Sequence, residues 1–229
     1  RGEVAMLESD VPFGARACSC PDLHHPTRYV VLTGGPGAGK TAVLELVRRS
    51  LCRHLALLPE AASIVFGGGF PRRSDAASRA ASQRCIFHVQ HELEELVRGD
   101  ARAAVALCDR GKLDGLAYWP GEEGDFFDQM CTTREAELGR YHAVIHLRPP
   151  EGTTYDRSTN RLRIEDAEQA RAVDDRIEHA WRGHPNRHFV ASTAGFLEKA
   201  LAAFRLIRDE LPPCCRAHVE LAPGGGAAS

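Results

Sequence analysis

No apolar run in the 229-residue sequence approaches the roughly 18–20 residues that a membrane-spanning helix needs. The N-terminal segment lacks the apolar stretch of a secretory signal as well, because Glu3, Glu8 and Asp10 interrupt it. An excess of one charge is missing too: 29 Lys and Arg stand against 31 Asp and Glu, for a net charge of -2. Chains that bind nucleic acid usually carry a clear basic excess, so no nucleic-acid partner is expected. There is no internal repeat. Hydrophobic residues make up 43% and charged residues 26%, which excludes wholesale disorder, collagen and coiled coil. A chain of this length buries a proper core and leaves little room for a second full domain.

The Cys-x2-Cys spacing of common zinc sites is also absent. The eight cysteines are Cys18, Cys20, Cys52, Cys85, Cys108, Cys131, Cys214 and Cys215. They are scattered through expected helices and a strand, and a core of this size needs no disulfide scaffold. Reduced thiols in a cytoplasmic protein are the expected state. Cys18-Ser19-Cys20 followed by His24-His25 offers metal-ligand types. An irregular leader explains that stretch better, because the spacing misses the zinc pattern.

What is present is an alternation of strands and helices. Residues 1–27 show no periodicity and read as an irregular leader. Tyr29–Leu32 is a short apolar, β-branched run of the buried parallel kind. Val43, Leu44, Val47, Leu51 and Leu55 then repeat at helical spacing. Residues 54–58 fit a second strand or the end of that helix. Residues 63–70 end in Gly67-Gly68-Gly69 and read as a flexible loop. A long helix fits 77–98, with Ile86, Val89, Leu93, Leu96 and Val97 as its apolar stripe. Strands are expected at 103–108, 142–147 and 188–191. Helices are expected at 165–181 and at 196–211, the latter with Leu197, Leu201, Phe204 and Leu211 inward. Pro212-Pro213 closes the domain at 211, and 212–229 reads as a flexible tail. This order predicts a parallel sheet with helices on both faces, a three-layer α/β/α domain over 28–211.

Gly34-Gly35-Pro36-Gly37-Ala38-Gly39-Lys40-Thr41 matches G-x-x-x-x-G-K-[ST] in full. The glycines permit backbone angles that aim successive N–H groups at one phosphate. The following helix presents its positive N-terminal end there. Lys40 can reach the β- and γ-phosphates, and the Thr41 hydroxyl can bind magnesium. At ordinary residue frequencies a chance match is on the order of one in a hundred, and the flanking strand and helix reduce it further. Nucleotide binding follows. ATP is the expected nucleotide with GTP open, since no base-specificity motif is evident.

Strand ends face the ligand crevice in open parallel sheets, and two of them carry acids. Pro59-Glu60 follows the 55–58 run, and Asp109-Arg110 follows 105–108. Phosphoryl transfer needs a metal-side acid, cations on the phosphates and sometimes a base for the attacking hydroxyl. Asp109 suits the first role, with Thr41 as its partner on magnesium. Glu60 suits the last, although an acid favoured by a helix N-terminus explains it too. On the long helix, Arg84, Phe87, His88 and His91 share a face at spacings of three and four. Arg84 and His88 there suit a polar acceptor pocket, or simply a solvated face. Arg148, Arg157, Arg161 and Arg163 lie in a polar stretch. Some of them suit a mobile lid over the transferring phosphate.

The segments VVLTGGPGAGKTAVLELV, LPEAA, CDRGKLDGLAY and HAVIHL together resemble small P-loop proteins of the AAA-domain ATPase family. That family is grouped with the kinase domain of NadR-type ribosylnicotinamide kinases. The likeness spans about Tyr29–Leu211. The same segments are similar to deoxynucleoside kinases at two places. There, a Pro-Glu after the second strand supplies the base, matching Glu60, and an acid-Arg pair after the third strand matches Asp109-Arg110. Gly111 stands where those kinases usually carry serine. The resemblance implies a kinase-like P-loop NTPase with an arginine-bearing lid. The implied reaction is magnesium-dependent transfer of phosphate from ATP to a small hydroxyl-bearing metabolite, with nucleosides and ribosylnicotinamide-like compounds as candidates. Some members of this family look instead like ATP- or GTP-binding switches with slow hydrolysis and a protein or lipid partner.

Overall fold

The computed structural model describes residues 25–50, 52, 54–100, 102–150, 167–192 and 195–216. Five strands form its centre: β1 (Arg28–Thr33), β2 (Leu55–Leu58), β3 (Val105–Asp109), β4 (Ala143–Leu147) and β5 (Arg187–Val190). All pair in parallel, in the order β2-β3-β1-β4-β5. Parallel strands need crossovers, and helices lie in them: α1 (Lys40–Ser50), α2 (Ala61–Gly67), α3 (Ala76–Asp100), α4 (Glu123–Gln129), α5 (Arg134–Gly139) and α6 (Ala167–Ala180), while α7 (Phe196–Asp209) and α8 (Pro213–Arg216) follow the last strand. A 3-10 helix, Lys112–Tyr118, follows β3.

Side chains along a strand alternate between faces, and both faces of this sheet are dry. Val30, Leu32, Val105, Leu107, Ile145 and Leu147 pack on one side against Val43, Val47, Phe204 and Ile207 of α1 and α7. Val31, Ala106, Cys108 and Val144 pack on the other against Phe87, Phe126, Ile177 and Trp181. This is the expected three-layer architecture. Among the described residues, no helix is long and apolar enough to cross a membrane.

Several local expectations change. Residues 55–58 are strand, not the end of α1. The expected loop at 63–70 is helical through Gly67, because Ala61 is buried and Glu60 opens the turn. In α3 the inward line runs Gln83-Phe87-Gln90-Glu94, and Leu96 is exposed. The buried polar groups there are paired: Tyr141 Oη donates to Glu94 Oε1 at 2.7 Å, and Arg140 Nη2 to Glu94 Oε2 at 3.1 Å. Leu197 points outward at the first turn of α7, and Phe196 beside it is exposed too. Residues 213–216, expected in a loose tail, form α8, and Cys215 lies fully buried in the core. The short helices α4 and α5 had no counterpart in the sequence reading.

Candidate active site

The phosphate loop joins β1 to α1 at the carboxyl edge of the sheet. Gly34, Gly37 and Gly39 hold φ of 131°, 73° and 93°, values that glycine alone adopts without strain. At Gly34 space is missing as well: a Cβ would stand 2.2 Å from the Leu147 carbonyl oxygen. Lys40 is buried at the start of α1, and its ammonium donates to the carbonyls of Gly34 at 2.9 Å and Gly35 at 3.3 Å. Thr41 is exposed in the same first turn. This cradle fits a nucleotide's phosphates. Thr41 and Asp109 could hold magnesium, since hydroxyl and carboxylate oxygens are the hard donors that ion prefers.

Groups far away in sequence fix the loop from below. Asp174 of α6 accepts from the Gly35 N–H at 2.6 Å and pairs with His146 at 2.8 Å and Arg148 at 3.1 Å. Burial pushes its carboxyl up, but His146, Gly35 and Arg148 outweigh that and hold it low. Lys199 of α7 donates to the carbonyls of Ala38, at 2.8 Å, and Arg148. Burial pulls its amine down to about 8. The sequence reading missed Asp174, His146 and Lys199. Their signal was a charged or polar residue at a core position of α6, β4 and α7.

Beside the loop opens a cavity of about 590 Å³. Pro36 of the loop, Glu60, Arg110 and Asp114 line it on the sheet side. Gln83 and Gln90 come from α3, and Arg72, Arg73, Arg79 and Arg176 complete a basic lining. Arg110 takes a left-handed φ of 73°, an uncommon conformation for a residue with a side chain. Its N–H is held by the Leu32 carbonyl at 3.1 Å, and its Nε donates to Glu60 Oε1 at 2.8 Å. Asp114 anchors the same turn. It accepts from the Gly111 N–H at 2.8 Å and from the Thr33 hydroxyl, and it lies 3.5 Å from Arg110 Nη1. Burial raises the Glu60 carboxyl, but Arg110, the Ser63 hydroxyl and Lys40 outweigh it and hold the group at about 2.

The profile of the family described as AAA domain matches residues 29–199. The chain belongs to that family. Among solved structures, this AAA domain is similar to a thymidylate kinase from Ehrlichia chaffeensis. The two share 14% identity and a TM-score of 0.51, over 79% of this chain and 98% of that one. At that identity the likeness concerns the fold. No curated protein sequence matches. The chain is thus a P-loop NTPase domain of kinase-like fold.

The AAA domain brings together most of the residues singled out from sequence. Gly34–Thr41 form the loop, and Glu60 and Arg110 meet at the cavity with Asp109 at the neighbouring strand end. Arg84 and His88 do not line the cavity. Arg84 donates to Gln129 at 2.7 Å, and His88 is exposed with its ring edge-on to Phe87. The wall of α3 that faces the cavity is instead Arg79, Ser82, Gln83, Ile86 and Gln90. Arg157, Arg161 and Arg163 lie outside the described residues.

Proposed function

We propose that this AAA domain is a magnesium-dependent phosphotransferase that moves phosphate from ATP to a small acceptor held in the cavity beside the loop. The observation that carries this reading is the cavity itself. A nucleotide switch needs a phosphate cradle and no second pocket. Here a second pocket adjoins the cradle, large enough for a metabolite and lined by convergent polar groups.

The roles follow from chemistry. Loop N–H groups and Lys40 would hold the β- and γ-phosphates of ATP or GTP, and Thr41 and Asp109 the magnesium ion. That ion would neutralise phosphate charge. Glu60 would accept a hydrogen bond from the acceptor hydroxyl and take its proton as transfer completes. A carboxylate at about 2 is a weak base. Weak basicity suffices where the transition state is loose and the nucleophile need only be oriented. Arg110, fixed by Glu60 and Asp114, would stabilise charge on the moving phosphoryl group. The guanidinium groups of Arg72, Arg73, Arg79 and Arg176 favour an acceptor that bears negative charge or polar oxygens, as nucleoside-like metabolites do.

Glu60→Gln tests the assignment. It keeps the side chain's shape and its hydrogen bond to Arg110 while removing the proton acceptor. Turnover with the acceptor should fall at least about 100-fold, with nucleotide affinity nearly unchanged. Unaltered turnover would remove Glu60 from the reaction.

A further inference from the structure

At the opposite edge of the sheet, three segments bring five metal-ligand side chains together: His25 just before β1, Cys52 and His54 between α1 and β2, and Cys214 and Cys215 in α8. Cys52 Sγ lies 3.8 Å from His54 Nδ1, and Cys215 Sγ lies 3.3 Å from the same nitrogen. Cys214 Sγ is 3.9 Å from Cys215 Sγ and 3.7 Å from His25 Nε2. The donor atoms form two trios sharing Cys215, and within each trio all lie within 4.8 Å of one another.

We propose that this cluster is a structural site for a thiophilic divalent cation, zinc in the first instance, held by Cys52, His54 and Cys215. The fourth ligand comes from the adjoining Cys214–His25 pair. Three observations carry the assignment. The first is spacing. A tetrahedral zinc ion with its usual bond lengths sets sulfur–sulfur edges of about 3.8 Å and sulfur–nitrogen edges of about 3.6 Å. The three sulfur–nitrogen distances bracket the second value, and the sulfur–sulfur distance of 3.9 Å is close to the first. The second is convergence. Both thiol sulfurs lie within 4 Å of one imidazole nitrogen. A metal ion at the centre of the trio would accept all three donor atoms at once. The third is burial. Cys52, His54 and Cys215 are 4%, 2% and 0% exposed, as a closed structural site requires.

The place in the fold says what the ion would do. The His54 carbonyl accepts from the N–H groups of Ala104 at 2.7 Å and Val105 at 3.0 Å, so His54 is tied to the start of β3. The strands run from here to the phosphate loop and Asp109 at their far ends, about 15–20 Å away. The ion would therefore take no part in phosphoryl transfer. It would clip α8 onto the sheet beside β2, tying Cys215 to His54, 161 residues earlier in the chain. Cys18 and Cys20, the cysteines whose spacing first raised a metal, lie outside the described residues.

The test uses the full chain, expressed with zinc present and purified without chelator. Elemental analysis should find close to one zinc per chain. Replacement by cobalt should produce a thiolate-to-metal charge-transfer band. Cys215→Ser and Cys52→Ser should each weaken zinc binding by more than about 100-fold, beyond the loss typical for residues that only support a ligand. Cys131→Ser, an exposed cysteine outside the cluster, should leave it unchanged. Because the serine variants can fail to fold, the unmutated protein supplies a second readout. Cys52 and Cys215 should become open to alkylation, mapped by peptide mass spectrometry, only after a zinc chelator is added. Metal-free protein whose labelling ignores the chelator would overturn the proposal. So would full zinc retention in folded Cys52→Ser and Cys215→Ser variants.

Discussion

Placing serine at position 111 should damage the protein. Gly111 has an ordinary φ of -109°, so backbone strain is not the reason. Space is. A Cβ would stand 2.7 Å from Trp181 Cζ2, 2.8 Å from Trp181 Cη2 and 2.9 Å from Val31 Cγ2. Ordinary carbon contacts lie at about 3.5–4.0 Å. Neither wall can give way: Trp181 and Val31 are both 0% exposed, one against α6 and the other in the central strand. Overpacking of this kind costs about 1–3 kcal/mol, and three hard contacts place Gly111→Ser at the upper end. For a chain of this size that lowers the melting temperature by about 6–12 °C. Thermal and urea unfolding would measure it. Trp181→Phe removes the offending ring edge, so the double variant should be less destabilised than the sum of the singles, by at least about 1 kcal/mol. Gly111→Ser melting within about 1 °C of the parent, or strictly additive losses, would refute the packing argument.

Two further predictions follow from the charged groups. Asp174→Ala deprives the Gly35 N–H and the buried His146 ring of their acceptor, which should cost about 2–4 kcal/mol and weaken ATP binding at least about 10-fold. Calorimetric titration beside urea melts would check both, and unchanged affinity would show that Asp174 does not shape the loop. The Glu60 carboxyl sits at about 2 against an ordinary 4.5. Its contribution to stability is therefore full above about pH 4.5 and is lost as pH falls through about 2, with a ceiling of about 3 kcal/mol. The stability gap between parent and Glu60→Gln should be constant from pH 7 to 5 and shrink below that; a gap that narrows already between pH 7 and 6 would contradict the pairing.

The phosphate loop was legible because its whole geometry is encoded in eight contiguous residues. Asp109-Arg110 and Glu60 were legible because an apolar run places the next polar residue at a strand end. The face of α3 was not. Reading apolar residues as inward rotated the helix, whereas its buried line includes Gln83, Gln90 and Glu94, held by the cavity wall and by Arg140 and Tyr141. That rotation is why Arg84 and His88 were chosen over Gln83 and Gln90. Asp174 and Lys199 escaped notice because their partners, Gly35 and Ala38, are more than 130 residues away. No local pattern carries such a pairing. The short helices α4 and α5 offer six or seven residues each, too few for periodicity to register.

The central claim is transfer of phosphate to a second molecule. The direct measurement follows isotope-labelled γ-phosphate of ATP, with magnesium, across a panel of nucleosides, nucleoside monophosphates, ribosylnicotinamide and small alcohols. The account predicts label in one acceptor class, none with Lys40→Ala, and a steep loss with Glu60→Gln. Label that reaches only inorganic phosphate, whatever the acceptor, would contradict it and leave a nucleotide switch with slow hydrolysis in its place.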